Sequence, residues 1–335
     1  MKSVLGIGNA LVDVLAVAKD EKLLKKYGLP KGSMQHVSEQ KANEVYCDLK
    51  EIGASVVTGG SAANTIAGLS QLGMRPGFIG KVGNDELGNF YNADLKKLKV
   101  RSHLVRGEKS TGRAMVVISP DSERTFAVYL GAAIEMTPED INPSIFDGYT
   151  YVHIEGYLVQ NHDLIETVMK IAHEKGKIVS IDLASYNVVE ENVDFLHQLI
   201  KNYANIVFAN AQEAKAFTGE NPERALLPIS RLCDIVVIKI GSRGSWLKEG
   251  TRVYHIPTRI IEDVDFTGAG DLYAAGFLYG MAMKKEPHIC GEIGTICACE
   301  VIQVVGTKMS ANAWKNIHTR IGQIEENEDI ILRIR

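Results

Sequence analysis

Short β-branched runs alternate with amphipathic stretches along most of the chain. Near-continuous apolar runs at 3–7, 77–82, 149–154, 177–182, 205–209 and 234–240 predict strands. Ile178-Val179-Ser180-Ile181 and Ile235-Val236-Val237-Ile238 are the clearest of them. Strands that are apolar on both faces suit a parallel sheet covered on each side by helices. Helical periodicity falls between the runs, at 61–72, 85–98, 161–174, 190–202, 210–217, 268–283 and 286–305. Strand, helix, strand in succession predicts an α/β sandwich on a mostly parallel sheet. Two regions break the rhythm. Residues 11–37 with 54–60, and 112–119 with 124–130, read as strands without intervening helices, and Asp121-Ser122-Glu123 supplies a hairpin turn. They predict a small β-sheet lid, drawn from about 11–37, 54–60 and 112–131, on a single catalytic domain spanning 1–335.

Composition narrows this only a little. The 335 residues are 45% hydrophobic and 23% charged, which excludes wholesale disorder. A net charge of −4 and the lack of any long uncharged apolar run give no reason to expect a nucleic-acid or membrane partner. Five cysteines without a C-x-x-C pair predict a reduced, cytoplasmic protein with no cysteine metal site. An exposed lid edge leaves monomer and homodimer both open. Glycine is the informative residue: 31 are present, above the usual share of about 7%.

Three glycine clusters can approach a ligand. In Asp265-Phe266-Thr267-Gly268-Ala269-Gly270-Asp271, small residues at a helix start bare successive N–H groups, which favours a phosphoryl group. Asp271 at its edge is placed to accept a proton from an attacking hydroxyl, with the positive helix end keeping it ionised. Taken alone it would pass for a first-turn carboxylate of a helix. In Thr58-Gly59-Gly60-Ser61-Ala62-Ala63-Asn64, the glycine pair admits a small ligand and Asn64 can bond its hydroxyls, or Ser61 simply caps a helix. Gly6-Ile7-Gly8-Asn9-Ala10-Leu11 begins like a dinucleotide fingerprint but has Leu11 where the third glycine belongs. Asp13, a charge inside a strand pattern, needs donors such as sugar hydroxyls.

Nucleotide-binding features are sparser. Gly107-Glu108-Lys109-Ser110-Thr111 lacks the glycine before lysine that a Walker A loop requires. The 234–240 strand runs into Gly241-Ser242-Arg243-Gly244, at the strand end where ligands sit in open α/β sheets. Asn210-Ala211-Gln212-Glu213 opens a helix, and Glu213 reads either as a cap or as a holder of metal-bound waters.

Taken in order, Gly59-Gly60-Ser61-Ala62-Ala63-Asn64, Asn210-x-x-Glu213, Gly241/Gly244 and Gly268-Ala269-Gly270-Asp271 resemble the ribokinase/PfkB family of sugar and nucleoside kinases over essentially the whole chain. The resemblance implies a ribokinase-like αβα sandwich with a small β lid, ATP across the C-terminal half, and an acceptor between sheet and lid. It implies Asp271 as general base and the N–H groups of Gly268, Ala269, Gly270 and Asp271 as an anion hole. Asn210 and Glu213 would organise Mg²⁺ through water. Asn210, Gly241, Gly244, Gly268 and Gly270 would meet ATP, while Asn9, Asp13, Gly59, Gly60 and Asn64 would hold the acceptor. A monovalent cation such as K⁺ would lie near Asp265 and Thr267, where Phe266 departs from the usual small residue or proline. Within the family, Gly8-Asn9-Ala10-Leu11-Val12-Asp13 and Glu123-Arg124-Thr125 are similar to the adenosine kinase branch, whose lid arginine, here Arg124, reaches the transferring phosphate. Leu183-Ala184-Ser185 before a long helix resembles the same branch. The expectation is an ATP-dependent kinase acting on a primary hydroxyl of adenosine, with a sugar such as ribose, fructose or 2-keto-3-deoxygluconate as the alternative acceptor. Rival classes are a nicotinamide oxidoreductase using Gly6 and Gly8, and a non-catalytic ligand-binding regulator.

Overall fold

The computed structural model describes residues 3–121, 123–259, 261 and 264–334, so Ser122 of the expected hairpin turn lies outside the described residues. The N-terminal third runs β1 (Val4–Ile7), β2 (Leu11–Val17), α1 (Lys22–Lys26), β3 (Met34–His36), α2 (Glu39–Glu51), β4 (Ser55–Gly59) and α3 (Ser61–Gln71). Then come β5 (Gly77–Gly83), α4 (Glu86–Lys97), β6 (Arg101–Gly107), β7 (Gly112–Ile118) and β8 (Arg124–Tyr129). The middle holds β9 (Tyr151–Glu155), α5 (His162–Glu174), β10 (Ile178–Asp182), α6 (Tyr186–Tyr203), β11 (Ile206–Asn210), α7 (Ala211–Thr218) and α8 (Pro222–Ile229). The rest is β12 (Ile235–Lys239), β13 (Ser245–Glu249), β14 (Arg252–Ile256), α9 (Ala269–Ala282), α10 (Pro287–Val301) and α11 (Ala311–Ile334).

Two sheets result. The larger has the order β14-β13-β12-β11-β10-β9-β1-β5-β6 and is parallel except for the edge strands β13 and β14. Alternate side chains feed opposite layers, as the period of two requires. Ile206 and Phe208 pack with α3, α9 and α10, whereas Val207 and Ala209 pack with the α5 to α8 side. This is the expected ribokinase-like sandwich. The smaller sheet has the order β3-β8-β7-β2-β4. Its Val12, Val14, Met115, Val117 and Ala127 face Ala42, Val45 and Leu49 of α2. Its other face carries Leu15, Val116 and Ile118, with Val57 and Phe126 packed beside them.

The helix-free reading of 11–37 and its neighbours is corrected by α1 and α2. Ser38 caps α2 by accepting from the Lys41 N–H at 3.3 Å, and three apolar residues at helical spacing suffice to dock it. β6, the β13–β14 hairpin, α8 and α11 were also not anticipated, because their apolar positions are sparse or interrupted by charges. α6 starts at Tyr186, earlier than residue 190, and has a non-helical Asn192 inside it. Among the described residues, no helix is long and apolar enough to cross a membrane.

Candidate active site

Polar residues collect at the C-terminal ends of the parallel strands, where open α/β sheets bind ligands. Glu155 ends β9, Asp182 ends β10, Asn210 ends β11 and Lys239 ends β12. The start of α3 and the start of α9 meet there, over Asp271.

Asp271 lies in the first turn of α9, and both of its carboxylate oxygens accept hydrogen bonds from α3. Ser61 Oγ donates to Oδ1 at 2.7 Å and Asn64 Nδ2 donates to Oδ2 at 2.9 Å. Thr65 Oγ1 donates to the Asp271 carbonyl at 3.1 Å. Burial pushes the carboxyl up to about 6, against the pull of Asn64, Ser61 and Lys239, while Asp182 adds repulsion. Desolvation outweighs the helix dipole and lifts the carboxyl above its ordinary value, yet not far enough to neutralise it at pH 7. A carboxylate near 6 is a better base than an exposed one, yet it stays ionised at neutral pH.

The loop before Asp271 is open to an anion, with one correction. Gly268 is left-handed (φ 77°), and the Ala269 N–H donates to the Phe266 carbonyl at 3.2 Å. Ala269 is therefore engaged, whereas the N–H groups of Gly268, Gly270 and Asp271 have no acceptor among the described residues. A Cβ at Gly268 would press on Thr307, whose Oγ1 donates to Asn64 Oδ1 at 3.2 Å.

Toward the smaller sheet, a Cβ at Gly59 would overlap the Asp13 carboxylate, so this glycine is what makes room for Asp13. Burial and the neighbouring Asp271 push Asp13 up to about 7, with Lys308 pulling it down. Lys308 Nζ donates to Thr58 Oγ1 at 2.6 Å and pairs with Asp94 at 3.0 Å. Gly60 has φ 97°, and a Cβ there would overlap the Asn9 carbonyl. Asn9 is only 3% exposed. Its N–H donates to Glu155 Oε1 at 2.8 Å and its Oδ1 accepts from Gln160 Nε2 at 3.3 Å. Glu155 also accepts from the Ala62 N–H at 3.0 Å and is pushed up to about 7 by burial. A Cβ at Gly8 would overlap Glu155, and β2 rather than a helix follows β1. Gly6 and Gly8 are thus packing glycines, and the dinucleotide reading has no helix N-terminus to stand on.

Asn210 and Glu213 form a reciprocal cap. Asn210 Oδ1 accepts from the Gln212 and Glu213 N–H groups at 2.9 Å, and Glu213 Oε2 accepts from the Asn210 N–H at 2.7 Å. The bland capping role is therefore real, but Glu213 is 2% exposed and is pushed up to about 7 by burial and by Asp182. Lys239 Nζ donates to Asp182 Oδ2 at 2.7 Å. Gly241 (φ 63°) has open space where its Cβ would lie, whereas a Cβ at Gly244 (φ 94°) would overlap the Ile256 carbonyl. Gly241 is free for a ligand and Gly244 is needed for the turn itself.

Arg124 begins β8 in the smaller sheet. Its guanidinium pairs with the buried Asp265 and donates to Thr267 Oγ1, the two residues near which the resemblance implies a monovalent cation. Asp265 also accepts from the Thr267 N–H at 2.8 Å and from the Gly306 N–H, which fixes the loop ahead of Gly268. Sequence reasoning missed Glu155, Asp182, Lys239, Thr307 and Lys308. Three of these are charges that end an apolar strand run, a signal present in the sequence.

The profile described as pfkB family carbohydrate kinase matches residues 34–314. An uncharacterized sugar kinase of Archaeoglobus fulgidus is 30% identical over 72% of this chain and 96% of its own. The adenosine kinase structure from Sinorhizobium meliloti is 32% identical with a TM-score of 0.85, covering 95% of this chain and 99% of that one. A probable sugar kinase structure from Rhizobium etli CFN 42 is 31% identical with the same TM-score, covering 95% and 98%. A glycine loop with open N–H groups, a buried carboxylate beside it and these likenesses define an ATP-dependent phosphotransferase. The chain belongs to the pfkB family of carbohydrate kinases.

Proposed function

We propose that the acceptor is a nucleoside, adenosine first, phosphorylated on its primary hydroxyl. The names of relatives do not decide it, since the adenosine kinase and the probable sugar kinase are equally similar. The observation that carries the reading is the chemistry facing Asp13. On the same face of the smaller sheet as that carboxylate, the partly exposed Val57 and Phe126 pack over buried Leu15 and Val116, an apolar patch suited to a base. A shallow, solvent-open hollow of about 470 Å³ lies on the far side of Gln160, which bonds Asn9, lined by Ile134, Asn161, His162 and Asp163. Among the described residues the cations around the site are already paired, Arg124 with Asp265, Lys239 with Asp182 and Lys308 with Asp94. That disfavours a sugar acid, whose carboxylate needs a counter-charge. A neutral furanose is the second reading, because Asp13 and Asn64 would bond its hydroxyls equally well.

In this reading the smaller sheet is a lid on one catalytic domain, and Asn9, Asp13, Gly59, Gly60 and Asn64 shape the acceptor floor. Asp271 takes the hydroxyl proton, and the N–H groups of Gly268, Gly270 and Asp271 face the transferring phosphoryl group. Arg124, tied to the loop ahead of Gly268, links lid position to that loop. Gly241 gives the nucleotide backbone access, and Gly244 keeps its turn. Glu213 and Asp182 are two carboxylates with one ammonium between them, a negative excess that fits a hydrated Mg²⁺ held through water by Asn210 and Glu213. When bound, the ion would shield phosphate charge. The test is ADP release with adenosine, inosine, ribose, fructose and 2-keto-3-deoxygluconate. Adenosine is expected to give the highest kcat/KM, and a higher value for the sugar acid would overturn the reading.

A further inference from the structure

The ion pair of Lys239 and Asp182 entered above only as part of the charge balance beside Glu213, and Lys239 has been given no contact with substrate. β10 and β12 are separated in the larger sheet by β11, so the two side chains meet across the end of the strand that Asn210 terminates. The pair is nearly buried, with side-chain exposures of 16% for Lys239 and 9% for Asp182. The ammonium lies against the first turn of α9. A Cβ built on Gly270 would be 3.0 Å from Nζ, and Lys239 and Asp271 act on each other electrostatically. Asp182, Glu213 and Asp271 draw the ammonium to this place, although the open N–H groups of a helix N-terminus beside it repel a cation. The placement makes sense once an anion arrives, because the ammonium and the open N–H groups then act on the same charge. Gly270 lacks the positive φ that would demand glycine, and the nearest atom to a methyl at that position is the ammonium itself.

We propose that Lys239 is a further catalytic residue, which contacts the γ-phosphate of ATP from beside Gly270 and is held there by Asp182. The acceptor oxygen forms a bond to the γ-phosphorus while the bond from that phosphorus to the β,γ-bridging oxygen breaks. The bonding pair stays on the β-phosphate of ADP, and the hydroxyl proton passes to Asp271. Negative charge is spread over the transferring group throughout, and a fixed ammonium in a dry site stabilises it. Asp182 positions the lysine and keeps it charged while it is buried. The inference rests on the phosphotransferase activity and not on the nucleoside assignment.

The test pairs turnover with a binding measurement that needs no acceptor. Lys239→Met is expected to lower kcat with ATP and adenosine by about 10²–10³-fold. Its preference for ATP over ADP, measured by calorimetry, should shrink about tenfold or more, with Lys239→Arg recovering part of both. Removing the lysine leaves Asp182 unpaired, so the charge-free double variant Lys239→Met/Asp182→Asn is made alongside. A folded double variant that is slow and has lost the ATP preference supports the assignment. Near wild-type kcat, or an unchanged ATP preference, in a folded variant overturns it. Should adenosine not be the acceptor, the wild type itself would be inactive in that assay while the ATP preference of the variants still decides the role of Lys239.

Discussion

α3 and α9 begin in the same way and end up with opposite tasks. Each starts on a glycine with positive φ, 97° at Gly60 and 77° at Gly268, and neither has a side-chain cap. At α3 the missing acceptor comes from inside the protein, since the Glu155 carboxylate takes the N–H groups of Ala62 and Asn9. At α9 no carboxylate fills that place, and the N–H groups of Gly268, Gly270 and Asp271 stay open among the described residues. One helix start is neutralised from within and serves as a floor. The other is left open, and in the proposed reading a phosphate fills it. The difference lies not in the glycines but in what the neighbouring strand end delivers, a carboxylate from β9 and an ammonium from β12.

The comparison can be broken in several places. Asp271→Asn should lower kcat by about 10²–10⁴-fold while ATP affinity stays within severalfold. Near wild-type turnover would remove Asp271 from the chemistry. Gly60→Ala and Gly268→Ala each force a side chain into left-handed backbone, costing about 1–2 kcal/mol before any overlap. The overlap at Gly60 is with a backbone carbonyl and that at Gly268 with the Thr307 methyl. Thermal melting should therefore suffer more at Gly60, and residual turnover in the folded fraction should suffer more at Gly268. Equal effects at both would erase the distinction.

Glu155 gives a pH signature. Its folded value, about 7, lies above its ordinary 4.5, so the folded state binds more protons between those values. Its contribution to stability is therefore full below about 4.5 and falls as pH rises to 7. Glu155→Gln should flatten that fall in denaturant titrations from pH 5 to 8, at a cost of about 1–3 kcal/mol for an imperfectly matched acceptor. A variant with the wild-type slope would show that another group sets it. The smallest effect expected is kinetic. The acid limb of kcat/KM should sit near pH 6, and Ser61→Ala or Asn64→Ala should move it upward, because both donors hold Asp271 down. A limb that moves down would contradict the assigned hydrogen bonds.

Much of the larger sheet was legible because its strands are apolar on both faces and bounded by helices of clear period. The smaller sheet was legible in its strands but not in its cover. α2 docks with Ala42, Val45 and Leu49 alone, and its exposed face dilutes the pattern. At the site, the glycine-led motifs announced Asp271, Gly59 and Asn64, because glycine beside polar residues is a local signal. Glu155, Asp182 and Lys239 come together only through strand order, which spacing along the chain does not encode. Their one local mark was a charge closing an apolar run. Gly8 and Gly244 mislead in the other direction, since each is required by a neighbouring protein atom and not by a ligand.

Burial first, and then repulsion from Asp271, push Asp13 up to about 7. In the proposed reading a neutral acceptor eases that repulsion by offering hydroxyl donors to both. After transfer the same molecule carries a dianionic phosphate between two carboxylates, one of which has just gained its proton. In the proposed reading, once Asp271 returns that proton to solvent, repulsion from the two carboxylates favours release of the product against the pull of the open N–H groups.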